Sequence, residues 1–316
     1  MVRYGDLTAV DHLSFTAEPG QVTAVLGPNG AGKTSTIETL EGYREPTSGV
    51  VRVAGLDPIA QHDEVVERIG VMLQDGGVYP GIRAIEAVRL FTAFYGRRAS
   101  TPPDELLASV GLTDRARATW KQLSGGEQQR LSLALALAGE PEVAFLDEPT
   151  ASVDVAGRQV VREVIRRLAD RGSAVVLTTH ELDEAERLAD KVVIIDHGRL
   201  VGEGSPAELR RTGGPVDEVR FAASPGLDVA NLAEALDAPV REATRGEYVV
   251  GAAGTPALVA DLTAWLAARN EPLADLRAGR QRLEDVFLHL TAGLAPPEGV
   301  PQAPPTGRAP RRKRRR

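Results

Sequence analysis

Gly27-Pro28-Asn29-Gly30-Ala31-Gly32-Lys33-Thr34 decides the fold. The spacing G-x4-G-K-T is a phosphate cradle. Its glycines let consecutive backbone N–H groups turn toward phosphate oxygens, and the helix that follows presents its positive end to them. The apolar run Gln21–Leu26 feeds the loop and Thr34–Leu40 begins the helix beyond it, so the order is strand, loop, helix. Alone, the loop says only that a nucleoside triphosphate is bound. Further segments follow in order: Gln74, then Leu123-Ser124-Gly125-Gly126-Glu127-Gln128, Phe145-Leu146-Asp147-Glu148, Ala151-Ser152-Val153-Asp154, and His180. Ser124-Gly125-Gly126 opens a predicted helix Glu127–Ala138, a second helix N-terminus suited to an anion. Two such sites for one triphosphate pose a geometric question that spacing alone leaves open.

Residues 1–211 read as alternating strands and helices, the pattern of a layered α/β domain. Glu142–Leu146 is a buried strand ending in two acids, and Ala174–Thr179 is another ending at His180. Lys191–Asp196 and Arg199–Glu203 flank His197-Gly198, a tight hairpin. Ser205-Pro206-Ala207-Glu208 has the form of a capping box. Thr212-Gly213-Gly214-Pro215 breaks the pattern and marks a boundary. Beyond it, strands at Glu218–Ala222, Val240–Ala243, Glu247–Gly251 and Leu273–Ala278 alternate with helices at Val229–Leu236, Pro256–Ala268 and Leu283–Leu290. That β-α-β-β-α-β order predicts a small ferredoxin-like α+β domain at 216–292. Residues 293–316 are rich in proline, end in Arg311–Arg316, and are expected to be a disordered tail.

No apolar run approaches the roughly 18 residues that a membrane-spanning helix needs. The absence of cysteine excludes disulfides and thiolate metal sites. Net charge is −7, yet residues 308–316 hold seven basic side chains and no acid, so the remainder carries −14. A body this acidic speaks against nucleic acid as a specific partner. Basic character is confined to the tail, which suits a solvated end or contact with anionic lipid.

Together the segments resemble the nucleotide-binding domain of ATP-binding cassette (ABC) proteins. The resemblance implies a P-loop ABC-type α/β fold: a RecA-like core with an antiparallel β subdomain and a helical subdomain. ATP and Mg²⁺ are the implied cofactors. Gly27, Pro28, Asn29, Gly30, Ala31, Gly32, Lys33, Thr34 and Ser35 would hold the phosphates, with Lys33 reaching the β- and γ-groups. Thr34, Asp147 and Gln74 would hold Mg²⁺, Glu148 would polarise the attacking water, and His180 would contact the γ-phosphate. Gln74 would lie on a loop touching a membrane partner. The signature run Ser124, Gly125, Gly126 and Glu127 would close on the ATP held by a second copy in a head-to-tail dimer, with Asp154 crossing the interface. Tyr4 would stack on adenine. Two departures stand out. The family usually has a strand before this aromatic, yet Tyr4 is almost the first residue, so either the start site is misassigned or the edge sheet is shortened and adenine stacking weakened. Val153 replaces the more usual Leu. His12, His62, His197 and His289 have no comparable context and read as structural.

Glu41-Gly42-Tyr43-Arg44, Gly76-Gly77-Val78-Tyr79-Pro80 and Leu283-Glu284-Asp285-Val286-Phe287-Leu288 resemble ATPase subunits of bacterial ABC-2-type exporters, the daunorubicin-resistance type above all. The expected role is a peripheral ATPase at the cytoplasmic membrane face, driving a separate integral-membrane permease that exports a small molecule. Alternatives are a soluble ABC ATPase acting on ribosomes or DNA, and the ATPase of an importer. A single cassette argues against translation factors. Only 91 residues separate Lys33 from Ser124, which leaves no room for the long coiled coils of chromosome-associated types.

Overall fold

The computed structural model describes residues 1–72, 77–212, 218–278 and 283–292. Gln74, most of the expected boundary at 212–215 and the tail 293–316 lie outside the described residues. The chain opens with an antiparallel pair, β1 (Val2–Tyr4) and β2 (Leu7–Val10). Then come β3 (Val22–Leu26), α1 (Lys33–Leu40), α2 (His62–Val66) and β4 (Ile69–Met72). Three helices that pack on one another follow: α3 (Ala84–Tyr95), α4 (Pro103–Ser109) and α5 (Gly125–Ala136). The chain continues through β5 (Val143–Asp147), α6 (Val155–Asp170), β6 (Ala174–Thr179) and α7 (Leu182–Leu188). Next are β7 (Lys191–Asp196), β8 (Arg199–Gly204) and α8 (Pro206–Thr212).

Six of these strands form one sheet in the order β4-β5-β6-β3-β7-β8, parallel except that β8 runs antiparallel to β7. A parallel sheet covered on both faces needs strands that are apolar throughout. Accordingly Val22, Ala24 and Leu26 of β3 enter one core, while Val25 joins Ile37 and Phe145 in the core of the opposite face. The capping box opens α8 as expected, with Ser205 N donating to Glu208 Oε2 at 2.8 Å. The antiparallel β part is small. Val2–Tyr4 itself forms the strand that carries the aromatic, and Thr47 N donates to Met1 O at 2.9 Å beside it.

The second unit comprises β9 (Val219–Ala222), α9 (Val229–Leu236), β10 (Val240–Thr244), β11 (Glu247–Val250), α10 (Pro256–Ala268) and β12 (Ala274–Ala278). Its four strands pair antiparallel in the order β10-β11-β9-β12, a split β-α-β arrangement. A separate core holds it together, centred on the stacked rings of Phe221 and Tyr248, 5.2 Å apart.

The last helix departs from the expected domain boundary. α11 (Leu283–Ala292) packs on α7, α8 and β8, and its Leu283 and Val286 are buried in the same core as Leu188, Ile194 and Leu209. Sequence order shows an apolar-faced helix after β12; it does not show which of two cores that face will meet.

Candidate nucleotide site

The phosphate loop leaves the C-terminal end of β3, where an open parallel sheet places its ligand crevice. Gly32 caps α1 at φ 99°, a left-handed conformation, and a Cβ there would overlap the backbone oxygen of Ala9. Pro28, Asn29 and Gly30 are exposed, whereas Ala31 is buried and its carbonyl accepts from Gly198 N at 2.9 Å. The β7–β8 turn thus anchors the loop from below. Lys33 folds back over the loop, its Nζ donating to Gly27 O at 2.7 Å and Pro28 O at 3.0 Å. Thr34 is exposed on the first turn of α1, and the Ser35 hydroxyl lies 3.0 Å from the Tyr4 hydroxyl.

Asp147 closes β5 one strand away from β6, and Thr178 of β6 hydrogen-bonds its carboxylate. Burial pushes the Asp147 carboxyl above the usual range; the Thr178 bond opposes this, Glu148 adds to it, and Lys33 opposes it. Burial likewise holds the Lys33 ammonium below its usual value, and the charges of Glu148 and Asp147 pull it back up. Glu148 lies just past the strand. Its backbone turns into the left-handed region at φ 46°, immediately before Pro149. Its N–H donates to Thr178 O at 3.1 Å, its carbonyl accepts from Gln129 Nε2 at 2.8 Å, and its Oε1 lies 2.9 Å from His180 Nδ1. The charges of Lys33, Asp147 and Glu148 therefore act on one another, and His180 joins them through its contact with Glu148.

Ser124 caps α5 in a reciprocal box: Glu127 N donates to Ser124 Oγ at 3.2 Å, and Ser124 N to Glu127 Oε2 at 2.8 Å. Glu127 also pairs with Arg115 at 3.0 Å. Ser124 and Gly125 are exposed, and Gly126 packs on Ser152 and Val153 of its own chain. Asp154 caps α6 through Gly157 N at 3.3 Å. The signature run is not brought against the phosphate group of its own chain by any hydrogen bond or ion pair among the described residues.

Some residues to which the sequence assigns no site role complete the site. Thr178 ties Asp147 to the Glu148 backbone, and Gln129, one place beyond the quoted signature run, holds the Glu148 carbonyl. Arg44 lays its guanidinium 4.3 Å above the Tyr4 ring and is itself held by Glu38 at 2.9 Å. Glu41, buried where α1 ends, has its carboxyl raised to about 7 by burial first and then by Asp147 and Glu38. Gln129 carries a sequence signal in its adjacency to the signature motif, and Glu41 and Arg44 lie in the stretch Glu41-Gly42-Tyr43-Arg44, which marked the exporter subclass and gave neither residue a role in the site.

Comparison with known proteins gives this arrangement its family. The model of the ABC transporter family matches residues 10–151. The daunorubicin resistance ATP-binding protein DrrA3 of Streptomyces coeruleorubidus is 37% identical over 92% of this chain and 93% of its own. A Nod factor export ATP-binding protein I of Paraburkholderia xenovorans is also 37% identical, over 91% and 93%. Among solved structures, the ATP-binding subunit of an ABC transporter aligns with a TM-score of 0.62 at 26% identity, covering 67% of this chain and 90% of that one. A dimeric post-hydrolysis cassette bound to ADP and Pi aligns at 0.59 and 25% identity, over 64% and 94%. This chain belongs to the ABC transporter family, as one of its ATP-binding subunits.

Proposed function

We propose that the chain hydrolyses ATP at the group Lys33–Asp147–Glu148–His180 and powers export of a small molecule through a separate integral-membrane permease. The observation that carries the reading is the Glu148–His180 contact, with Glu148 near enough to Lys33 of the phosphate loop for its charge to act on the ammonium. Hydrolysis needs positioning and charge neutralisation more than covalent help. The loop N–H groups and Lys33 hold the β- and γ-phosphates; two of the three ammonium donors bind loop carbonyls, and the third serves a phosphate oxygen. Glu148 orients a water and draws on its proton as the water oxygen bonds to the γ-phosphorus. The bond to the β,γ-bridging oxygen breaks, and ADP and phosphate leave. His180 steadies the Glu148 carboxylate and senses the γ-phosphate.

Mg²⁺ fits the residues present. It binds through one or two hard oxygen donors plus substrate phosphates, without an all-protein cage. The exposed Thr34 hydroxyl and the Asp147 carboxylate are such donors, and among the described residues no group of three or more acids or histidines is arranged to hold a metal ion by itself. Bound there, the ion would neutralise charge on the phosphates. Gln74 is assigned to the same ion.

Two contacts complete the assembly. Ser124, Gly125 and Gly126 are assigned to the ATP of a second copy in a head-to-tail dimer, with Asp154 beside them at the interface. Tyr79 and Phe94, large apolar groups 75% and 74% exposed just before and along α3, are assigned to the permease. No helix among the described residues is long and apolar enough to cross a membrane; the subunit is assigned to the cytoplasmic face through its permease. The basic residues 308–316 add attraction to anionic lipid. The two close relatives, named for daunorubicin resistance and for Nod factor export, support the export direction. Co-expression with a permease in a drug-sensitive bacterium tests the whole reading. Efflux that needs both chains and vanishes with Lys33→Ala is expected; uptake in place of efflux would reverse the direction.

A further inference from the structure

We propose that Gln129 is a positioning residue that links the signature helix to the hydrolytic acid of the same chain. Glu148 needs such a residue. A non-glycine side chain at φ 46° occupies a sparsely populated region, and the following Pro149 restricts its backbone further. A conformation of this kind persists only where its surroundings over-determine it. Two groups do so here. Thr178 accepts from the Glu148 N–H through its carbonyl and hydroxyl, at 3.1 and 3.2 Å, and Gln129 Nε2 donates to the Glu148 carbonyl at 2.8 Å. Ala151 N reaches the same carbonyl at 3.0 Å, but it belongs to the turn that Glu148 itself starts. Among the described residues, Gln129 is the one side chain of α5 that bonds the acid.

The side chains beside Gln129 on α5 hold other partners. Gln128 Nε2 donates to Trp120 O at 2.8 Å, and Arg130 to Val110 O at 2.9 Å, both within the helical part of the cassette. Gln129 joins that part to the sheet's catalytic edge. Ser124, at the N-cap of the same helix, lies roughly 7.5 Å away along its axis, five residues at 1.5 Å each. Displacement of α5 when its N-terminus closes on a partner's nucleotide therefore pulls on the backbone of Glu148 in its own site. The bond couples the two composite sites through one rigid element.

This inference rests on Glu148 being the hydrolytic acid, and the test separates the two. Gln129→Met keeps side-chain length and loses the donor; Gln129→Lys keeps a donor. Full-length variants are compared for kcat, KM for ATP, thermal unfolding, and, in the Glu148→Gln background, ATP-dependent dimerisation by size-exclusion chromatography. Gln129→Met should lower kcat roughly ten- to a hundredfold, the scale of a small misplacement of a catalytic group, with KM changed less than about twofold. Gln129→Lys should recover part of the loss, and the dimer should still form. A folded Gln129→Met enzyme with wild-type kcat, beside an inactive Glu148→Gln, overturns the role of Gln129. Loss of the ATP-dependent dimer on adding Gln129→Met to Glu148→Gln also overturns it, since the residue would then act in association. Near-normal turnover in Glu148→Gln overturns instead the assignment of Glu148.

Discussion

His180 Nδ1 faces Glu148 Oε1 at 2.9 Å, joining the end of β6 to the residue just past β5. An ionised carboxylate only accepts, so the nitrogen facing it carries the hydrogen. Under the proposed function the pair acts as one unit. Glu148→Gln should therefore reduce phosphate release by about a hundredfold or more, the scale of a lost acid–base group, while ATP binding persists. His180→Ala should also slow turnover, and the double variant should be no worse than Glu148→Gln alone, because residues acting as a unit are non-additive. Steady-state phosphate assays check this; losses that multiply would separate the two roles. Relief of repulsion between the acid and the γ-phosphate should also make Glu148→Gln accumulate as an ATP-dependent dimer.

The cassette was legible because its motifs are short and nearly contiguous. A phosphate loop, two strand-end acids and a strand-end histidine each follow an apolar run, and a buried parallel strand writes such a run plainly. Contacts between distant segments were not legible. Thr178 to Asp147, Gln129 to Glu148 and Arg44 over Tyr4 join residues 31, 19 and 40 positions apart, and no local pattern encodes them. The left-handed turn at Glu148 was missed because Asp147-Glu148 reads as the continuation of a strand. The placement of α11 was missed for the same physical reason: amphipathicity names a face and leaves its partner unnamed.

The Tyr4 ring is met on one face by Arg44 and at its hydroxyl by Ser35, and the residue stays 39% exposed; we propose that it stacks on the base of the nucleotide. Tyr4→Ala should weaken ATP binding by about 1–3 kcal/mol, the value of one base stacked on an aromatic. Inorganic tripolyphosphate, which has no base, should bind both proteins equally. Titration calorimetry with the two ligands decides the matter. An equal loss for both would trace the effect to a disturbed phosphate loop.

Glu41 gives the fold a pH dependence. Burial, with Asp147 and Glu38 adding, raises its carboxyl from 4.5 to about 7, so the folded chain holds this proton more tightly than the unfolded chain. The resulting stability is complete below pH 4.5 and is lost as pH rises through about 7. At 1.36 kcal/mol per pH unit, the gap corresponds to roughly 3 kcal/mol. Glu41→Gln stays neutral and keeps the shape. It should be more stable than the wild type above pH 7 and converge with it toward pH 4.5. Denaturant unfolding across this range tests the claim, and parallel pH profiles for the two proteins would refute it.

Leu283 is fully buried among α7, α8 and β8, so α11 should stabilise the cassette and not the small α+β unit that precedes it. Leu283→Ala should cost about 2–5 kcal/mol, the usual range for emptying a buried leucine site. Bound ATP raises only the transition of the unit that binds it, by mass action. The loss should therefore appear in the ATP-sensitive transition. Leu232→Ala, in the core of the small unit, is the matching control and should leave that transition in place. Differential scanning calorimetry with and without ATP reads both. If Leu283→Ala shifted only an ATP-insensitive transition, α11 would belong energetically to the small unit despite its contacts.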